Sequence, residues 1–136
     1  MIEDSNYELK ELIFKLMNND YGDEAYKLIQ LYEQVLSYQD LHFMFNRLQE
    51  VFYKKRTDTK YFALAKEVCL RDVHMLINDK LPNLVNMYAY MPCYDRLIII
   101  YEKEEDFETV RNLIKVGIDK NIYGNYLKKV NKYLGD

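Results

Sequence analysis

Large apolar residues recur three and four positions apart along nearly the whole chain, the spacing of one helical face. Residues 6–18 place Leu9, Leu12, Ile13, Leu16 and Met17 on such a stripe, and Asn18 to Asp23 break it with turn-forming residues. The pattern predicts further helices over 23–37 (Ala25, Leu28, Ile29, Tyr32, Leu36), 40–55 (Leu41, Met44, Phe45, Leu48, Val51, Phe52) and 60–78 (Tyr61, Leu64, Ala65, Val68, Cys69, Leu76). Asp23 suits an N-cap, and Lys54-Lys55-Arg56 suits the negative end of a helix dipole. Residues 81–92 are irregular apart from one short turn around Leu84–Met87. Pro92 fits the first position of a helix over 92–104, where its missing N–H costs nothing. Residues 106–119 carry the cleanest stripe, and a last helix is expected over 123–134. No stretch sustains a period of two. About seven helices with short connections predict an all-α fold of antiparallel neighbours, in a single domain spanning residues 1–136.

The spacing also repeats. Phe45, Leu48 and Phe52 recur as Tyr94, Leu97 and Tyr101 at an offset of 49, and Phe62, Ala65 and Cys69 recur as Phe107, Val110 and Ile114 at an offset of 45. A fainter copy sets Leu12, Leu16, Ala25 and Ile29 against Leu97, Tyr101, Val110 and Ile114 at an offset of 85. Three helical hairpins follow, over about 6–38, 40–79 and 91–120, with residues 123–134 as a capping helix.

The run Tyr94-x-x-Leu97-x-x-x-Tyr101, then Asp106-Phe107-x-x-Val110-x-x-x-Ile114-x-x-Gly117, resembles a tetratricopeptide repeat, a helix–turn–helix unit of about 34 residues. Tyr94, Leu97 and Tyr101 match the large positions of its first helix. Val110, Ile114 and Gly117 match the small, large and small positions of its second. Ile98 and Val110 are bulkier than the family pattern, which implies looser or altered packing of the two helices. The resemblance implies stacked hairpins in a right-handed superhelix and a concave peptide-binding face. Asn46, Gln49, Tyr53, Asp95 and Arg96 are then the expected exposed contacts.

Composition narrows the function. The chain is 49% hydrophobic and 30% charged, and its longest strictly aliphatic run is Leu97–Ile100, far below a membrane span. The acidic start, Glu3-Asp4, is unlike a leader peptide, and two cysteines without CxxC spacing suit reduced thiols; together these predict a cytoplasmic protein. Abundant Asn, Lys, Ile and Tyr point to a bacterial or phage genome of low GC content. Residues 1–34 hold eight acids and three bases, whereas residues 115–136 hold five bases and two acids. Fourteen tyrosines and no tryptophan exceed what a core of this size consumes. Tyr88 and Tyr90, beside the Pro82–Pro92 segment, are expected in a partner-binding patch, because tyrosine supplies large contact area at low entropic cost.

Catalytic chemistry finds little support. His42 and His74 belong to no metal-binding spacing, and Cys69, Asp72 and His74 share no single helix face. Ser5 and Ser37 sit in no nucleophile motif, no glycine-rich loop could cradle a phosphate, and the Glu102–Glu108 acid run reads as a solvated turn. No catalytic residue, metal or cofactor is expected. The leading expectation is a non-enzymatic protein–protein interaction scaffold whose partner is another protein or peptide, or itself as a homo-oligomer, with no membrane partner. Two alternatives stand beside it. One is a small regulatory or inhibitory protein whose acidic front (Glu8, Glu11, Asp23, Glu24) occludes a partner enzyme. The other, disfavoured by the net charge of −3, is a nucleic-acid binder using Lys120, Lys128, Lys129 and Lys132.

Overall fold

Helical periodicity translates into helices throughout. A computed structural model describes residues 6–135; the Glu3-Asp4 start and Ser5 lie outside the described residues. The helices are α1 (Tyr7–Asn18), α2 (Gly22–Tyr32), α3 (Tyr38–Tyr53), α4 (Thr59–Ile77), α5 (Pro82–Asn86), α6 (Pro92–Lys103), α7 (Phe107–Asp119) and α8 (Val130–Leu134). Short 3-10 turns occupy Glu33–Val35 and Asn125–Lys129. Among the described residues there is no strand, only an isolated bridge between Tyr90 and Tyr123. The fold is all-α. Two compact units divide after Val68, within α4.

In the first unit, α1, α2 and α3 pack on one another around Ile13, Met17, Ala25, Ile29, Met44, Phe45, Leu48 and Phe52, all fully buried. Helix α2 starts one residue earlier than the expected cap. Gly22 opens it, and a Cβ there would lie 3.0 Å from both Phe52 and Val51, so glycine is what lets α2 approach α3. Asp23 therefore sits inside the first turn and caps nothing. Its carboxylate instead pairs with Lys60 Nζ at 3.0 Å and accepts from Tyr61 Oη at 3.3 Å. Ser37 caps α3 by accepting from Asp40 N at 3.0 Å.

In the second unit, α6 and α7 form the hairpin read from the spacing. Asp106 caps α7, accepting from Thr109 N and Thr109 Oγ1 at 3.2 and 2.7 Å. Tyr94, Leu97, Val110 and Ile114 are fully buried or nearly so. Gly117 gives its missing side chain's space to Tyr126, whose hydroxyl would stand 2.6 Å from a Cβ there. The expected helix over 123–134 is broken up. Gly124 is extended, and the Asp95 carboxylate accepts from Asn125 N (2.9 Å) and Tyr126 N (2.8 Å), so the chain enters a 3-10 turn before the short α8.

Five helix ends follow one rule, those of α1, α4, α5, α6 and α7. Asp20, Asp79, Tyr88, Glu105 and Asn121 each take a left-handed conformation just past a helix. In each case the next residue's N–H returns to a carbonyl five positions back, as in Tyr21 to Leu16 and Ala89 to Leu84. Glycine is the usual occupant of this position, yet none of these five is glycine.

Candidate interaction surface

The seven residues expected at a binding face divide sharply. Asn46, Gln49 and Tyr53 line up with His42 along one side of α3, and all four are buried. The Asn46 amide donates to the His42 carbonyl at 2.6 Å. Their expected exposure is overturned because α3 also buries Leu41, Met44, Phe45, Leu48, Val51 and Phe52. The row of α3 that stays open is instead Gln39, Phe43, Arg47 and Glu50. Tyr53 is further held beneath Arg56, whose guanidinium lies 4.5 Å from the ring centroid. Asp95 is buried too, and both its carboxylate oxygens are engaged by the backbone of the C-terminal segment. Arg96, next to it on α6, is half-buried.

Tyr88 and Tyr90 are exposed, as expected. The structure adds partners that periodicity did not reveal. Tyr88, Ile118, Tyr123 and Leu127 line a groove of about 290 Å³, floored by Gly117 and Ile122. Tyr90 meets Tyr123 edge-on at 6.5 Å and accepts from Asn125 Nδ2 at 3.0 Å. Met87, 74% exposed, precedes Tyr88, which is 68% exposed. Burial and the neighbouring Asp95 push the Tyr90 hydroxyl above its ordinary pKa, so it stays a neutral hydrogen-bonding group. The result is a largely apolar and aromatic surface in which Asn121 is the polar lining residue and, among the described residues, no charged side chain lines the groove. Its signal in the sequence was the tyrosine excess, which located two of its members only.

The remaining chemistry is structural. Cys69, Asp72 and Cys93 are fully buried, while His74 is exposed, so the short set on α4 does not converge. Burial, reinforced by contact with Cys69 and Asp72, pushes the Cys93 thiol up, the opposite of an activated nucleophile. Among the described residues no three His, Cys, Asp or Glu side chains are gathered as a metal site. No described helix is long and apolar enough to cross a membrane.

The basic tail is largely committed internally. Lys120 pairs with Asp79 at 3.2 Å, and Lys129 and Lys132 reach Glu102 at 2.6 and 4.0 Å. Glu102 also accepts from Tyr133, so this member of the acid run is not simply solvated. Burial works against the Glu102 carboxylate, but hydrogen bonds from Lys129 and Tyr133 outweigh it and lower its pKa. In the acidic front, Asp20 pairs with Lys55 at 3.1 Å and Asp23 with Lys60 at 3.0 Å, while Glu8, Glu11 and Glu24 are exposed.

Comparison with protein-family models, with curated proteins and with solved structures finds no match to this chain. Its all-α fold and its tyrosine-lined groove are therefore what a functional reading has to work from.

Proposed function

We propose that this chain is a non-enzymatic, cytoplasmic protein-interaction module built from tetratricopeptide-like hairpins, and that it recognises its partner through the groove of Tyr88, Ile118, Tyr123 and Leu127. The observation carrying this reading is the groove itself. A contiguous exposed patch of large apolar side chains costs solubility unless something covers it, and aromatic residues dominate the energetic centres of interfaces. The hairpin reading is supported by the α6–α7 pair, where Tyr94, Leu97, Val110 and Ile114 are buried and Gly117 admits a close neighbour. The groove replaces the α3 row as the binding face, since that row is covered. The ion pairs at Asp20, Asp23, Glu102 and Lys120 weigh against surfaces working by charge alone.

The test is affinity capture with the wild type and with a Tyr88→Ala/Leu127→Ala variant whose helical circular dichroism is unchanged. A specifically retained protein should be lost from the variant. Equal retention by both would remove the groove as the recognition surface.

A further inference from the structure

We infer that the groove is a two-fold interface with a second copy of this chain, an inference that rests on reading the groove as a docking surface. Three observations select this occupant. The first is area. The exposed fractions of Met87, Tyr88, Tyr90, Ile118, Tyr123 and Leu127, at the 150–250 Å² that large side chains bury, expose on the order of 600 Å². A standard interface covers about 800 Å² per partner. The patch thus supplies most of one half of a stable dimer, with flanking polar residues as the rim.

The second is charge. Residues 69–136 contain ten acidic and ten basic side chains, and the residues flanking the groove repeat this balance. Asp119 follows Ile118 in the chain and Lys128 follows Leu127, while Lys120 and Asp79 already neutralise each other. A site for an acidic or basic peptide would carry one sign of charge. A rim with both signs is complementary to itself after a two-fold rotation, when each acid can face a base of the other copy. Residues 1–68, with twelve acids and nine bases, lack that balance.

The third is shape. The patch pairs a hollow, the groove, with Met87, which is 74% exposed, lies outside the groove lining and precedes Tyr88 in the chain. In an isologous contact the same projection fills the same hollow twice. Tyr88 deserves its place here as well. It is the one aromatic residue among the five left-handed helix ends, and it keeps an exposed ring at a backbone position that glycine would occupy with less strain.

Sedimentation from low to high micromolar concentration tests this directly. The wild type should pass from the 16.5 kDa monomer to twice that mass. Leu127→Glu should remain monomeric with unchanged helical circular dichroism, whereas Leu31→Glu, at a residue 71% exposed in the first unit, should still dimerise. A wild type that is monomeric throughout, or a dimer lost by Leu31→Glu but kept by Leu127→Glu, overturns the inference. Tyr88→Gly guards against a folding artefact. It should raise the thermal midpoint of the monomer while weakening dimerisation about tenfold; an unchanged dimerisation constant also overturns the inference. A monomeric wild type that still captures a different protein through Tyr88 and Leu127 sinks self-association alone. Capture insensitive to both residues sinks the docking surface too.

Discussion

Tyr88 adopts φ of 52°, a region in which a Cβ-bearing residue is strained by about 1 kcal/mol. The conformation is imposed by the end of α5, where Tyr88 N donates to Val85 O and Ala89 N to Leu84 O, both at 3.0 Å. Its ring is mostly exposed and contributes little burial in return. Replacing it with glycine should therefore stabilise the monomer by about 1 kcal/mol, less the extra entropy glycine loses on folding. Denaturant unfolding at low protein concentration checks this, and a loss of stability would mean that the ring packs more than its exposure indicates. Sequence alone could place Tyr88 in a patch, since tyrosines outnumber core sites. It could not show the backbone strain, which arises from where α5 stops.

At the scale of elements, the C-terminal segment is fastened to the α6–α7 hairpin at three points. Asp95 receives two backbone N–H groups, Tyr126 lies 5.2 Å from Tyr94 over Gly117, and Glu102 gathers Lys129, Lys132 and Tyr133. Each fastening belongs to a different physical class, so each fails differently. Asp95→Ala leaves one part-buried and one buried N–H donor without their carboxylate and should cost about 2 kcal/mol. Gly117→Ala drives a methyl group into the Tyr126 ring and should be of similar severity. The Glu102 contact is the acid-sensitive one. Its folded-state pKa is lowered, so its contribution is complete above the unfolded value near 4.3 and is lost as pH falls through the folded value. Hydrogen-exchange protection across residues 125–134, corrected for intrinsic rates, should consequently decline below about pH 4. Protection that stays level to pH 3 would show that Asp95 and Tyr126 hold the segment unaided.

Over the whole molecule, charge is uneven along the chain, acidic over residues 1–34 and balanced over residues 69–136. Three of the four tail lysines reach carboxylates within 4.0 Å, and residues 69–136 carry no net charge. Nucleic-acid affinity at low salt depends on releasing counterions with uncompensated cations. Labelled single-stranded RNA should accordingly show no saturable anisotropy change with this protein, and tight, salt-sensitive binding would restore the basic tail as a functional surface. The same scale separates what patterning could reveal from what it could not. Periodicity identified α1 to α4, α6 and α7 because each carries an apolar stripe, and the repeat resemblance marked Gly117 as a small position. The resemblance placed Asn46, Gln49 and Tyr53 on an open face, and periodicity could not correct it, because a polar row marks a helix face without telling whether another segment covers it. Periodicity overextended the last helix because the group that interrupts it, Asp95, lies some thirty residues away in the chain.

The left-handed helix ends have a bearing on how this protein can change. Asp20, Asp79 and Glu105 occupy conformations that glycine tolerates best, and each is an exposed position outside the groove lining, whereas Asn121 shares the conformation but lines the groove. Every such site is a latent route to extra stability that leaves the fold intact. Lineages or libraries that adopt glycine at one or two of them would gain tolerance for otherwise damaging substitutions. The tyrosine surface could then drift toward new specificities from a sturdier background.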